Sequence, residues 1–181
     1  MPTIYLDPST DETNTFVGGG SEEEYMNRIA DAMVPYLRLA GINFVRNNPN
    51  DTVEDIIRQS NSEPFDLHLS LRTEPTMEAL HGPIIYYNMF SPDGQSIAYK
   101  IARSLWIIYP EPEYVNIVPT ATEDVIIRTR ALAVIVDLGN NKNPEDAEWI
   151  RENIFRIARI LVLALTDFFN IPLDASRPIA P

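Results

Sequence analysis

The sequence predicts a three-layer α/β/α fold, in which helices cover both faces of a mostly parallel, twisted sheet of about five or six strands. Short apolar runs typical of buried strands alternate along the chain with longer segments whose apolar residues recur every three or four positions. The 181 residues, 45% of them hydrophobic, are enough for one continuous core. We therefore expect one domain over residues 1–172, followed by a loose C-terminal tail over residues 173–181.

The first long helix has clear signals at both ends. Ser21 and Glu24 have the spacing of a capping box, and Gly41 is a typical C-terminal stop. The helix should therefore run from about Glu22 to Ala40, with a kink at the interior Pro35. Apolar runs predict the other early elements, which are a strand at 3–6, a strand at 42–45 and a short helix at 51–60 with Val53, Ile56 and Ile57 inward.

The segment 65–72 alternates between leucines and polar residues, which is typical of a strand. Its leucines should face one side of the sheet, and a polar row should face the other: Asp66, His68, Ser70 and Arg72. The later elements follow from apolar runs and from Pro144 at a first helical position: a strand at 83–88, a helix at 95–109, a nearly all-apolar strand at 133–138, and one long helix from Asn143-Pro144 to about Phe169.

Charge and composition exclude several classes of function. The formal net charge of −12 disfavours nucleic acid and anionic membrane surfaces as partners, because both bind through clustered Lys and Arg. Without cysteine, the chain has no thiolate metal site and no cysteine nucleophile. The N-terminus shows no secretion signal, and the most apolar stretch, residues 160–165, is too short to cross a bilayer. The compartment is not predicted.

In folds of this class, ligands bind beyond the carboxyl ends of the strands, here at 7–12, 72–74 and 137–143. The only two histidines, His68 and His81, lack the spacing of a metal-binding pair. A catalytic triad of His68 with Ser9 or Ser70 is not supported, because no nucleophile-elbow motif is present.

Four features follow one another in a recognisable order: the segment 6–12, Glu23 four residues before Asn27, the segment 66–74 and the segment 134–139. This order resembles the type 3 zinc-dependent N-acetylmuramoyl-L-alanine amidases of bacterial cell-wall turnover, over roughly Thr3 to Pro172. The resemblance implies the fold predicted above and an association with the cell envelope or the spore.

The resemblance also implies a degenerate zinc site. It places the first zinc histidine of the family on Thr10, the second on Arg72 and the catalytic glutamate on Asp137, so that Glu23 is the only metal ligand kept in kind. A catalytic zinc needs three protein ligands. We therefore expect no zinc, and we expect Arg72 to replace the metal charge by pairing with Glu23 and with Asp137.

Three classes of function remain open. The first is a pseudoenzyme whose groove, lined by Thr10, Arg72 and Glu74, binds a peptidoglycan fragment or a partner protein, with Arg72 meeting a stem-peptide carboxylate. The second is an active amidase that cleaves the muramoyl–L-alanine amide bond, with zinc held by Glu23, His68 and either Asp11 or Glu12, and with Asp137 as general base. The third is a purely structural or regulatory subunit.

Overall fold

A computed structural model describes residues 1–76 and 80–172, so the predicted tail at 173–181 lies outside the described residues. The strands are β1 (Thr3–Pro8), β2 (Asn43–Arg46), β3 (Leu67–Glu74), β4 (Ile84–Asn88), β5 (Asn116–Thr120) and β6 (Leu132–Asn140). The α-helices are α1 (Glu22–Ala40), α2 (Val53–Ser60), α3 (Pro92–Leu105), α4 (Asp124–Arg128), α5 (Pro144–Glu152) and α6 (Ile154–Phe168), and a 3-10 turn spans Pro112–Tyr114.

The six strands form one sheet in the order β2-β1-β3-β6-β4-β5. Strands β2, β1, β3 and β6 are parallel, whereas β4 runs antiparallel to β6 and carries β5 parallel to itself. The prediction of a mostly parallel sheet of five or six strands is therefore confirmed. The antiparallel pair brings the amino end of β4, and not its carboxyl end, beside the carboxyl end of β6, so that Ile84 pairs with Asp137.

Helices pack on both faces of the sheet, as predicted. On one face, the leucines of β3 pack with apolar residues of α1, α3 and α6 in the larger core cluster. On the other face, Tyr5 and Ile135 pack with Ile56 and Ile57 of α2 and with Val125 of α4 in a smaller cluster. The leucines of β3 therefore bury against the thicker helical layer, and its polar row faces the thinner one.

Helix α1 has the predicted bounds. The Ser21 side chain caps it by accepting a hydrogen bond from the Glu24 backbone N–H at 3.1 Å, and Gly41 ends it in the left-handed conformation, with φ of 70°. Pro35 lies inside the helix, which is continuous from Glu22 to Ala40.

The structure corrects the prediction of one long helix after Asn143. The chain forms α5 and α6 instead, because Asn153 interrupts the helix with ψ of 19°. The Asn153 side chain donates to the Trp149 carbonyl at 2.8 Å, so it competes with the main chain for that acceptor.

Three further differences concern the remaining elements. Strand β5 was not predicted, because it is short and contains Pro119, which an edge strand tolerates. Helix α4 is a single short turn and was also missed. Val53, predicted to be inward, is 48% exposed because it is the first residue of α2.

Candidate functional site

Strands β1, β3 and β6 bring their carboxyl ends together at one edge of the sheet. Asp7 pairs in register with Ser70, and Arg72 pairs with Asp137. The three segments that the sequence predicted to meet at the strand ends are thus neighbours through these pairings. The register shifts between Arg72 and Glu74, and this irregularity changes the direction of the side chains at the end of β3.

Asp7 is the buried acceptor at the centre of this edge. Its side chain is fully buried, and it accepts hydrogen bonds from Asn47, His68, Ser70 and Arg72. Burial alone would raise the pKa of Asp7. The Arg72 guanidinium and the hydrogen bonds from His68 and Ser70 outweigh that effect and hold the pKa below its ordinary value. Asp7 is therefore an ionised carboxylate with a full set of donors.

His68 links Asp7 to helix α2. Its Nε2 lies 3.1 Å from Asp7 Oδ2, and its Nδ1 lies 2.9 Å from the Ser60 hydroxyl. The resulting Ser60–His68–Asp7 chain has the residue types of a catalytic triad. All three residues are fully buried, however, so substrate has no access to the hydroxyl. The chain is a structural network that fixes β1, β3 and α2 together.

Arg72 pairs with Asp7 and not with the expected carboxylates. Its Nη2 donates to Asp7 Oδ2 at 2.7 Å, and its Nη1 donates to the Asp7 and Leu71 carbonyls, each at 3.1 Å. No ion pair joins Arg72 to Glu23 or Asp137 within 4.0 Å in the described parts of the chain, so the predicted partners were wrong. The reason is geometric: Asp7 and Arg72 extend from neighbouring parallel strands on the same face of the sheet.

A cavity of about 580 Å³ opens beside this edge, on the face of the sheet that α2 and α4 cover. Arg72, Glu74 and Asp137 line it, as do Tyr86 and Ile135. We call this space the β3–β6 cavity. Three of the five residues that the sequence marked as functional, namely Arg72, Glu74 and Asp137, therefore line the same cavity.

The other two marked residues do not line this cavity. Glu23 accepts a hydrogen bond from Asn27 at 3.0 Å, and its main chain bonds to Asp11 at 3.2 Å. Thr10 lies half-buried just beyond β1, on the first residues of the following loop.

Glu22, which the sequence did not mark, lies in the cavity wall in place of Glu23. Its side chain is only 4% exposed; it accepts from the Thr73 backbone N–H at 2.6 Å and from Asn14 at 3.2 Å. Asn14 in turn accepts from Asn141 at 2.7 Å. The run of three glutamates after Ser21 carries no signal in the sequence that distinguishes the inward residue from its neighbours.

Asp137 is a buried carboxyl group in an acidic environment. Its side chain is 3% exposed, and its Oδ1 accepts from the Gly139 backbone N–H at 2.9 Å. Burial is the main cause that holds the pKa of Asp137 well above its ordinary value, and the charges of Glu74, Glu22 and Asp146 act in the same direction. Tyr86, which also lines the cavity, has its pKa raised to about 12 by burial and then by Asp137.

Asp146, at the start of α5, is a second buried carboxylate that sequence reasoning missed. It accepts from the Gly82 and Asn140 backbone N–H groups at 2.9 and 2.7 Å, and from the Tyr109 hydroxyl at 2.6 Å. It thus joins the loop before β4 to the end of β6. Gly139 has φ of +133° and touches Asp146 so closely that a Cβ there would lie 2.6 Å from Asp146 Oδ2.

The residues at the zinc positions implied by the resemblance do not fit a zinc ion. The resemblance aligns Thr10 and Arg72 with the zinc histidines of the family; a threonine is not a usual zinc ligand, and the Arg72 guanidinium carries a permanent charge that repels a second cation at short range. His68 has both ring nitrogens bonded to protein groups. Across residues 1–76 and 80–172, no group of three or more His, Cys, Asp or Glu side chains is arranged to hold a metal ion.

The fold and this site define a three-layer α/β domain of the cell-wall amidase type, with its cavity at the carboxyl edge of the sheet. The sequence pattern of the N-acetylmuramoyl-L-alanine amidase family matches residues 4–167, and the chain belongs to that family. No curated protein sequence matches the chain significantly.

Several solved structures share the fold at low sequence identity. N-acetylmuramoyl-L-alanine amidase AmiC2 of Nostoc punctiforme matches with a TM-score of 0.80 at 14% identity, over 93% of this chain and 97% of that one. Cwp6 from Clostridium difficile matches with a TM-score of 0.80 at 22% identity, over 92% of this chain and 29% of that one. The CwlD amidase from Clostridioides difficile, solved in complex with the GerS lipoprotein, matches with a TM-score of 0.78 at 10% identity, over 95% of this chain and 100% of that one.

In residues 1–76 and 80–172, none of the helices is both long and apolar enough to cross a bilayer.

Proposed function

We propose that this chain is a pseudoenzyme of the amidase family, which binds a peptidoglycan fragment or a partner protein and does not use the zinc-dependent hydrolysis of its family. The observation that carries this proposal is the ion pair between Arg72 and the buried Asp7, with 2.7 Å between Nη2 and Oδ2. A fixed cation takes the position where the resemblance expects a metal ligand, and its charge is already balanced by a carboxylate from β1.

Peptidoglycan is the proposed ligand because the family is defined by amidases that act on it, and because the β3–β6 cavity lies at the strand ends, where ligands bind in folds of this class. Its volume of about 580 Å³ lies within the range of small-molecule sites. Arg72, Glu74 and Asp137 are the proposed contacts, together with Thr10, which directly precedes the lining residue Asp11 in the sequence. A protein ligand is the related option, since CwlD was solved with a lipoprotein.

An active amidase with a rearranged metal site is the second candidate. Asp137 favours it, since a cavity carboxyl group with a raised pKa is typical of general acid–base catalysis. Against it stands His68, the only histidine proposed for the metal, because it is fully buried and both of its ring nitrogens already have partners. Glu23, for its part, is held by Asn27 outside the cavity lining.

The test combines metal analysis, hydrolysis and binding on the purified chain. After dialysis against buffer with a zinc salt and then without it, we expect much less than one zinc per chain by elemental analysis. We expect no release of muropeptide fragments or free stem peptide from peptidoglycan, with or without zinc. Stoichiometric zinc with hydrolysis that a chelator abolishes would establish the second candidate in place of the first.

Binding is measured by co-sedimentation with insoluble peptidoglycan. We expect the wild-type chain to be retained and Glu74→Gln, in the cavity, to be retained less. Glu63→Gln is the matched control, because Glu63 is exposed on the loop after α2, carries the same charge and does not line the cavity. Retention no greater than that of an unrelated acidic domain would count against peptidoglycan as the ligand.

A further inference from the structure

We propose that the β3–β6 cavity selects a ligand group that carries positive charge, specifically a primary ammonium on an organic ligand such as an amine-bearing peptide side chain. This inference deepens the proposed function, since it names the chemistry of the ligand for the same cavity. It departs from the expectation that Arg72 would meet a carboxylate.

The charges of the cavity lining are strongly one-sided. Among the described residues, Arg72 is the only basic residue of the lining. Six lining residues bear carboxyl groups: Asp11, Glu22, Glu74, Glu123, Asp124 and Asp137. The charge of Arg72 is already balanced by Asp7, which lies outside the lining. An anionic ligand would therefore enter a field of its own sign, whereas a cationic ligand would be drawn in.

Arg72 also has few donors left for an anion. Three of the five N–H groups of a guanidinium are engaged, with Asp7 Oδ2 and with the Asp7 and Leu71 carbonyls. Both N–H groups of Nη1 are included, so the paired fork that recognises a carboxylate is not open on that side.

Two buried polar groups in the lining have oxygen atoms that could accept further hydrogen bonds, and an ammonium would donate them. Asp137 is only 3% exposed, and its single hydrogen bond in the described residues is the one that Gly139 donates to Oδ1. Asp137 lies two residues after Ile135 on β6, and both line the cavity, so its side chain extends into that space. Thr73, 5% exposed and also in the lining, has a buried hydroxyl oxygen with no hydrogen-bond partner among residues 1–76 and 80–172.

The size and spread of the site favour an organic cation over a metal ion. The described carboxylates do not converge in a group of three or more that could hold a metal. A space of about 580 Å³ instead accommodates a ligand of many atoms, with one ammonium near Asp137 and the remainder against Tyr86 and Ile135. An ammonium has three donors, which is enough for an acidic oxygen and a hydroxyl of the same lining.

The test compares three small probes by isothermal titration calorimetry at low ionic strength: Nα-acetyl-L-lysine amide, the neutral Nα-acetyl-L-norleucine amide and the anionic Nα-acetyl-L-glutamate amide. Only the first carries an ammonium, and none carries a free α-carboxylate. We expect the lysine probe to bind at least about tenfold more tightly than the norleucine probe, and the glutamate probe to bind more weakly than both. Equal binding of the lysine and norleucine probes, or tighter binding of the glutamate probe, would overturn the inference.

Variants locate the binding site. Asp137→Asn keeps the shape of the side chain and should weaken the lysine probe at least about tenfold, while Glu63→Gln should leave it unchanged. Glu74→Gln, at an exposed position, should weaken it severalfold and serves as the second variant if Asp137→Asn does not fold by circular dichroism. If neither cavity variant differs from Glu63→Gln, the cavity is not the site and the inference fails.

The probe experiment and the peptidoglycan co-sedimentation can fail independently of each other. Peptidoglycan retention without discrimination among the probes would sustain the proposed function and refute the ammonium inference. Selective binding of the lysine probe without peptidoglycan retention would do the reverse.

Discussion

Removal of the Arg72 guanidinium is the most direct perturbation of the site. Arg72→Met keeps much of the side-chain length but removes the arginine that pairs with the fully buried Asp7 carboxylate. Breaking a buried ion pair from one side costs about 3–5 kcal/mol. Because the Arg72 side chain is 24% exposed and water can partly replace it, we expect a loss of about 2–3 kcal/mol in the free energy of unfolding.

The assay is urea unfolding followed by circular dichroism, with Arg28→Met as the matched control. Arg28 pairs with Glu24 on the surface of α1, where the side chains are 56% and 39% exposed, so its loss should cost less than about 1 kcal/mol. A double-mutant cycle with Asp7→Asn isolates the pair. We expect Arg72→Met to cost much less in the Asp7→Asn background than in the wild type.

The reasoning would be refuted if Arg72→Met cost no more than Arg28→Met. It would also be refuted if the effects of Arg72→Met and Asp7→Asn simply added, because independent effects would mean that the 2.7 Å contact stabilises nothing.

Three further predictions concern the other buried groups. Asp137→Asn should raise stability at pH 7, since the native state holds the Asp137 proton more tightly than the unfolded chain, whose pKa is near 3.8. The destabilisation by Asp137 grows as pH rises from about 4 towards the raised native pKa and is constant above that pKa, so thermal melts should show the gain from Asp137→Asn vanishing below about pH 4. Asp146→Asn should cost about 2–4 kcal/mol in urea unfolding, because three donors lose their carboxylate acceptor, and the fluorescence of the adjacent Trp149 should report the change. Ser60→Ala should cost about 1–3 kcal/mol by leaving His68 Nδ1 buried without a partner, whereas a loss below about 0.5 kcal/mol would mean that water replaces the hydroxyl.

Elements with strong local signals were predicted from the sequence with good accuracy. Helix α1 was found at its predicted bounds because the Ser21 cap and the Gly41 stop act on the main chain within one turn. The alternation in β3 likewise gave the correct faces, since the pleat alone determines them. Strand β5 and the break at Asn153 escaped prediction because they depend on an edge position and on a side-chain contact that residue patterns do not show.

The sequence predicted which strand ends lie together but not how their side chains pair. The ends of β1, β3 and β6 were identified correctly, and Arg72, Glu74 and Asp137 do share a cavity. The partner of Arg72 was wrong, because a choice between Asp7 and the other carboxylates depends on the register of β1 against β3, which the sequence does not specify. Asp7 directly follows the buried run at 4–6, which was a signal that its carboxylate needs a partner.

The reversed direction of β4 has a practical consequence. Because β4 runs opposite to β6, its last residue, Asn88, lies at the end of the sheet away from Asp137, and the turn that follows exposes Met89 and Phe90. A fluorophore or an immobilisation handle introduced at residue 89 or 90 would sit remote from the ligand entrance. Surface-coupled measurements could then be made through that end with the cavity left facing the solution.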